Sequence, residues 1–363
     1  MKDEFRLPDN VLLPRWALLL TLSTLFCVGL ELAGLPASLL IGPMVAAILL
    51  VLGIGRGNMK VPRAPLVFCQ TIVGLLMAHA ISPDILRTMI SSAPLFLGMI
   101  LAVIIAAALL AWTLTRWQVL PGTTAVWGSS PGAASAMVIM SEAYGADARL
   151  VAFMQYLRVV FVAIAASVVA RLWSAGNSDA MPAIDFFPSV NWLNLCVTLA
   201  LACLCAWIAL RFRISGGAIL VPLVLATPLQ ALGYLNLELP IWLLAISYAM
   251  VGWSTGLRFS RVIIRHAAHA LPQVAGSILL LMSLCSLMAA ALHYLTGVDP
   301  LTAYLATSPG GADSVAIIAA SSNVDLPFVM AMQTGRFLII LFTGPLLART
   351  IAKYAGVPDV TKQ

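Results

Sequence analysis

Charge is what this sequence has least of. Of 363 residues only 9% are Asp, Glu, Lys or Arg, against roughly a quarter in soluble domains, while 61% are apolar and the mean hydropathy is +1.01. No ordinary water-facing surface can be assembled from so few charges. Histidine is nearly as scarce: four residues, His79, His266, His269 and His293, with no carboxylate cluster at ligand spacing beside them. No metal site is expected from that set, nor a metal-dependent oxidation. The six cysteines all lie within apolar segments and form no Cys-x-x-Cys pair with a histidine cluster, so they read as packing residues. A phosphate-binding glycine loop and a nucleophile elbow are also missing. The expectation is a protein that is not an enzyme and carries no cofactor.

What the chain does have is long uncharged runs. Leu95 to Trp112 and Gln273 to Ala291 carry no charge, and each approaches the ~20 residues that a helix needs to cross ~30 Å of hydrocarbon. Twelve apolar segments can be marked, at 15–34, 37–54, 64–82, 93–115, 121–142, 150–172, 191–210, 216–233, 240–257, 270–295, 301–321 and 327–350. The first continues apolar to Leu35 without a clear small-residue cleavage site, so it reads as a crossing rather than a signal peptide. Trp16, Trp112, Trp117, Trp173, Trp192 and Trp242 fall at segment ends, as interfacial anchors do, whereas Trp127 and Trp253 lie deeper. The net charge of +6 comes from basic residues in short clusters between apolar runs, the distribution of a topology signal and not of a nucleic-acid surface.

The chain repeats itself. At a fixed offset of 178 residues, Thr124 to Arg158 overlays Thr302 to Arg336 with 12 identities in 35 positions and no gap. Among the identities are Ser130-Pro131-Gly132 with Ser308-Pro309-Gly310, Asp147 with Asp325, and Met154-Gln155-x-x-Arg158 with Met332-Gln333-x-x-Arg336. These are polar or backbone-special positions, so shared hydrophobicity does not account for them. Weaker echoes pair Pro43 with Pro222 and Gly74 with Gly252. The organisation expected is a first membrane repeat at 1–173, a polar linker at 174–190 and a second membrane repeat at 191–363.

Counting basic residues suggests how the repeats are oriented. If all twelve segments cross, the two sides hold 11 and 7 Lys and Arg. If the fifth and eleventh segments are re-entrant or otherwise non-crossing, the partition becomes 16 to 2, with Arg158 and Arg336 inside spans. The second arrangement gives five crossings per half, an odd number, which turns the second copy upside down. The fold class expected is therefore an all-α integral membrane protein of two inverted repeats, each with about five transmembrane helices and one broken or re-entrant segment. Both termini fall on the cytoplasmic side.

Proline and glycine in the middle of an apolar segment break its helix, and a break inside a bilayer is tolerated only where protein or a wet cavity covers it. Ser129, Ser130, Pro131, Gly132, Thr307, Ser308, Pro309 and Gly310 are thus candidate ligands for a solute. The hydroxyls and the first amides after each proline could hold an anionic group or a carbonyl; a kink that merely packs is the alternative. Arg158 and Arg336, each preceded by Gln155 or Gln333, are buried cations that need compensation. Asp147, Asp325, Asp313 or a bound anion are the candidate partners, and the guanidiniums could instead cap the broken-helix carbonyls. Asp313, whose counterpart is Ser135, is also the candidate group for coupling to protons or cations.

Long strings in the chain resemble the AbrB family of bacterial inner-membrane proteins, also labelled ammonia monooxygenase. They are Leu39-Leu40-Ile41-Gly42-Pro43-Met44, Trp127-Gly128-Ser129-Ser130-Pro131-Gly132, Leu150 through Arg158, Ala303 through Gly311, and Met330-Ala331-Met332-Gln333-Thr334 followed by Arg336. The resemblance covers nearly the whole chain and implies an association with regulation of gene expression; it assigns no catalytic residue. Two functions are in view, a secondary transporter or exporter of a small polar or anionic metabolite and a membrane-embedded sensor acting on gene expression indirectly. The partners expected are the lipid bilayer, a small-molecule or ion ligand and a homodimeric copy, with no direct nucleic-acid contact.

Overall fold

A computed structural model describes residues 9–33, 38–54, 59–80, 93–116, 124–130, 141, 146–174, 190–212, 214, 216–259 and 271–354. Among them the secondary structure is helical: α1 (Asp9–Leu32), α2 (Ser38–Gly53), α3 (Arg63–Ala80), α4 (Ala93–Arg116), α5 (Thr124–Ser129), α6 (Ala148–Ser174), α7 (Trp192–Arg211), α8 (Gly217–Ala231), α9 (Ile241–Gly256), α10 (Leu271–Thr296), α11 (Pro300–Thr307), α12 (Ala312–Ala320) and α13 (Leu326–Tyr354). Among the described residues six helices are long and apolar enough to cross a membrane: Leu13–Leu32, Arg63–Ala80, Ala93–Arg116, Ala148–Ala166, Trp192–Arg211 and Leu271–Thr296. Four shorter apolar helices, Ser38–Gly53, Gly217–Gln230, Ile241–Gly256 and Leu326–Ile340, occupy further segments marked in the sequence. The fifth and eleventh segments are the ones in which the helix stops, at Ser129 and at Thr307.

Helix is the structure these segments must adopt, because hydrocarbon offers no partner to an unpaired amide. Their hydroxyls obey the same rule. Ser23 donates to Leu19 O at 2.6 Å, Thr71 to Val67 O at 2.9 Å, Thr198 to Asn194 O at 2.8 Å and Ser247 to Leu243 O at 2.9 Å, each one turn back in its own helix.

The chain packs as two compact units, and they are not the two sequence halves. Residues 1–79 with 170–264 form the first, residues 80–169 with 265–363 the second. Each unit thus combines the same part of both repeats: α1 to α3 with α7 to α9 in the first, α4 to α6 with α10 to α13 in the second. Of the polar linker, residues 175–189 lie outside those described.

In the first unit the contacts are reciprocal. A methyl group added at Gly74 of α3 would meet Pro222 Cγ of α8 at 2.7 Å, and one added at its repeat equivalent, Gly252 of α9, would meet Leu40 O at 2.7 Å and Pro43 Cβ at 3.3 Å on α2. A helix of each repeat therefore packs on a helix of the other through matching residues, as in an isologous interface. Gly256, one turn beyond Gly252, continues the same close approach. Trp253 lies between these glycines, donates its indole N–H to Ser23 Oγ at 2.9 Å and meets the edge of Trp16 with ring centroids 6.1 Å apart. The deep tryptophan is a packing residue, and the Trp16 ring, expected as an interfacial anchor, packs against it.

Candidate functional site

The second unit holds the two Ser-Pro-Gly breaks. In the second repeat the chain reverses at Gly297, whose φ of +70° suits a residue without Cβ, and Asp299 caps α11 by accepting from Thr302 N at 3.1 Å. α11 runs to Thr307, Ser308 closes it through its N–H to Tyr304 O at 2.8 Å, and α12 resumes at Ala312 after Gly311, with no side chain capping its start. In the first repeat α5 ends likewise, with Ser130 N donating to Val126 O at 3.1 Å. Pro131 and Gly132 lie outside the described residues, as does the side chain of Asp313 in the first turn of α12.

At each break the proline by itself leaves one carbonyl without the amide it would bond in a continuous helix. Four residues after Trp127 stands Pro131, and four after Leu305 stands Pro309; neither has an N–H to give. A glutamine supplies the missing donor in both places. Gln155 Nε2 donates to Trp127 O at 2.8 Å and to Ser130 O at 3.1 Å, and Gln333 Nε2 donates to Leu305 O at 2.6 Å and to Ser308 O at 3.3 Å. Both glutamine side chains are fully buried.

The arginines complete the clamp from one turn further along α6 and α13. Arg158 Nη1 donates to Ser130 O at 3.0 Å and Ser129 O at 3.5 Å, and its Nη2 to Gln155 Oε1. Arg336 Nη1 donates to Ser308 O at 2.6 Å, and its Nη2 to Gly310 O at 3.1 Å and to Gln333 Oε1. Because a guanidinium only donates and a carbonyl only accepts, each glutamine amide can stand only one way round. The positive charge also sits at the carbonyl end of a helix, where the partial charge is negative. Capping of the broken-helix carbonyls, one of the roles considered for these arginines, is thus part of what they do.

The aspartates considered as ion-pair partners cap the long helices. Asp147 Oδ1 accepts from Arg149 N at 2.9 Å and Leu150 N at 3.2 Å, and Asp325 Oδ1 from Phe328 N at 3.0 Å, so they cap α6 and α13. Their own amides donate to Thr124 Oγ1 and Thr302 Oγ1, both at 3.1 Å, which ties the start of each long helix to the start of the broken one. Asp325→Ala should therefore cost about 1 kcal/mol of stability, the usual worth of an N-cap, readable as a lowered melting temperature of the purified protein. If Asp325 were instead the counter-ion of a buried guanidinium, the loss would be several-fold larger.

The predicted hydroxyl ligands divide unevenly. Ser130 donates to Val126 O at 2.8 Å, Thr307 to Ala303 O at 2.9 Å and Cys285 O at 3.1 Å, and Ser308 to Leu305 O at 3.1 Å, so their protons are spent inside the protein. Ser129 Oγ is buried with no partner among the described residues, and so are Arg158 Nε and Arg336 Nε. Each guanidinium uses three of its N–H groups in the bonds given above, is 1% or 3% exposed, and meets no carboxylate among the described side chains. The two clamps are neighbours, the second break packing against α6 within a turn of Arg158. A Cβ at Gly310 would fall 3.0 Å from Val162 Cγ1, one turn beyond Arg158 on α6. Among the described residues no three His, Cys, Asp or Glu side chains gather as ligands of a metal.

Sequence reasoning named the broken-helix carbonyls as possible acceptors for the arginines but did not reach the glutamines' part in capping them, or Cys285, whose carbonyl takes the Thr307 proton and which has no cysteine counterpart in the first repeat. The proline at four residues from Trp127 and Leu305 was the available signal.

An all-helical chain of membrane type, duplicated internally and carrying two glutamine-and-arginine-clamped helix breaks in one unit, defines the class. The chain belongs to the AbrB family: the family model described as "Transition state regulatory protein AbrB" matches residues 39–352. It is 43% identical over 343 residues to the "Putative regulator AbrB" of Escherichia coli (strain K12), covering 94% of this chain and 97% of the relative. It is 22% identical over 371 residues to the "Uncharacterized protein YhjN" of Bacillus subtilis (strain 168), covering 96% of this chain and 95% of that one.

Proposed function

We propose that the protein is a secondary transporter or exporter of a small polar or anionic metabolite in the bacterial inner membrane, with its solute site at the two helix breaks. The observation that carries this reading is the pair of buried guanidiniums, each with an unused Nε–H and without a carboxylate partner among the described residues. A buried cation costs several kcal/mol unless compensated, and translocon and simulation scales bracket that cost between roughly 2.5 and more than 10. Carbonyl dipoles offset part of it, and an anionic solute offsets the rest. In this reading the repeats are inverted, both termini are cytoplasmic, Asp313 couples transport to an ion gradient, and no catalysis occurs. The bilayer is the protein's surrounding, a second copy its candidate partner, and nucleic acid is not contacted directly.

The description of the family and of the E. coli relative as regulators favours a second reading, a membrane-embedded sensor that binds the same ligand and acts on gene expression indirectly. Flux separates the two. Proteoliposomes of the purified protein, challenged with gradients of small carboxylates, amino acids and phosphate, should take up at least one of them. Arg158→Gln and Arg336→Gln should each lower that uptake by more than about tenfold, since a hydrogen bond to a charged group is worth about 1.5–3 kcal/mol. Binding without uptake would establish the sensor.

A further inference from the structure

A third glutamine stands in for a proline, this one in the first unit. Four residues after His79, in the last turn of α3, the chain has Pro83, which has no N–H to give. Gln230 of α8 supplies the donor: its Nε2 lies 3.0 Å from His79 O, and the same nitrogen lies 3.2 Å from His79 Nδ1. The carbonyl fixes which way round the amide stands, because Oε1 in that place would face another oxygen. An amide nitrogen only donates, so Nδ1 must accept, and the ring is neutral with its proton on Nε2. The other arm of the amide, Oε1, is buried without a partner among the described residues, and so is Thr227 Oγ1, one turn back on α8. His79 itself is exposed, at the end of a helix long enough to cross the membrane.

The other repeat shows that this helix pairing does not need polar groups. Gly74 meets Pro222 as Gly252 meets Pro43, and the same correspondence sets Leu257 in the place of His79, Val51 in that of Gln230 and Ile48 in that of Thr227. Leu257 and Val51 are buried in an apolar cluster with Leu19, Leu50 and Met59. Where one copy closes the pair with hydrocarbon, the other uses an imidazole and an amide. We infer that His79 and Gln230 form a proton-operated latch between the ends of α3 and α8, closed while the imidazole is neutral and turned over when it takes a proton. A protonated ring carries an N–H at Nδ1, which cannot face the N–H of Gln230. Turning the amide over presents the unused Oε1 to that proton and withdraws the donor from His79 O, which Pro83 cannot replace. The amide thus has two arrangements, and histidine is the side chain whose charge changes between about pH 5 and 8. Competing titratable groups are few. α8 carries none, α3 carries Arg63 and Cys69 more than two turns earlier, and α7, packed on α8, carries cysteines and Arg211. α9 carries Tyr248, the connection from α8 to α9 Tyr234 and Glu238, and the chain after α3 Asp84 and Arg87, which lie outside the described residues. The inference holds whether the protein transports a solute or senses one.

The test is nitrogen NMR of the purified full-length protein in detergent, labelled in the histidine ring and the glutamine side chain and titrated from about pH 8 to about pH 5. At the upper end His79 Nδ1 is expected at the position of an unprotonated ring nitrogen. On acidification it should gain its proton, and the Gln230 amide signals should shift with the same midpoint. Hydrogen exchange by backbone amides at the end of α3, taken relative to an unstructured peptide at each pH, should rise about fivefold, as the loss of one hydrogen bond worth about 1 kcal/mol implies. His79→Asn keeps an acceptor close to the place of Nδ1 and cannot titrate, so the Gln230 signals should stay where they are at every pH. His79→Leu combined with Gln230→Val installs the residues of the other repeat and should leave the protein monodisperse while abolishing the rise in exchange. Glu238→Gln and Asp84→Asn should leave the transition in place. A proton on Nδ1 at the upper end, Gln230 signals that stay fixed while the ring titrates, a transition that survives in His79→Asn, or one lost in Glu238→Gln or Asp84→Asn would each overturn the inference.

Discussion

Gln333→Leu should destabilise the protein by about 3 kcal/mol or more, because each buried polar group left without a partner costs about 1–3 kcal/mol and a charged one more. The substitution strips Leu305 O of the amide that stands in for the missing proline N–H, weakens the hold on Ser308 O and leaves an Arg336 N–H without its acceptor. Hydrogen bonds in membrane proteins average only ~0.6 kcal/mol by mutant cycles, since the unfolded chain finds other partners within the bilayer. Gln333 should exceed that average: its side chain is fully buried and the carbonyls it serves belong to a rigid helix end. The proline makes the argument specific. Pro309→Ala restores an N–H four residues after Leu305, so Gln333→Leu should cost less in that background than alone, and the two substitutions should couple by about 1 kcal/mol or more in a double-mutant cycle. The check is equilibrium unfolding of the four proteins. Simple additivity would mean that the glutamine does not replace the proline's donor. The same relation should hold for Pro131 and Gln155.

Gly256→Leu should prevent the first compact unit from assembling. A Cβ at this position would lie 2.5 Å from Met44 O and 2.6 Å from Ala47 Cβ, and at Gly252 2.7 Å from Leu40 O. Two of those atoms are helix backbone, which cannot rotate away as a long side chain can, so α9 and α2 must separate. Overpacking typically costs 1–3 kcal/mol and occasionally more; alanine should sit within about that range, and leucine well above it. Gly29, Gly98 and Gly276 are internal controls, for a Cβ at each meets nothing within 4 Å. Alanine there should be neutral or stabilise by up to about 1 kcal/mol through helix propensity. Yield of monodisperse protein and its melting temperature would separate the two groups; equal tolerance at all of these positions would refute close helix contact at Gly256.

Much of the architecture was legible in the chain because the bilayer leaves few choices. Apolar runs must be helices, and every segment marked in the sequence carries one, with two interrupted where Ser-Pro-Gly predicts. The duplication was legible because polar identities such as Gln155 with Gln333 do not arise from composition. The partition into units was not, since a sequence shows which residues repeat but not that helices of one copy pack on those of the other; the contacts of Gly74 with Pro222 and of Gly252 with Pro43 appear only in space. At the site, residue identity was readable and pairing was not. Asp147 and Asp325 drew notice as charges, whereas an Asp just ahead of an apolar run is also the mark of a helix start, and both cap one. Of four hydroxyls that looked equivalent, three return their protons to their own helices, and only the geometry separates Ser129 from them.

The central claim is that the two breaks belong to oppositely oriented copies that jointly form one site, and topology tests it most directly. Single cysteines would be placed at Gln118 and Val298, ahead of the two motif-bearing segments, in a protein lacking its six native cysteines. They would be labelled in intact cells with a membrane-impermeant maleimide, before and after permeabilisation. The account predicts that one position reacts from outside and the other only after the membrane is opened; reaction of both from the same side would contradict it.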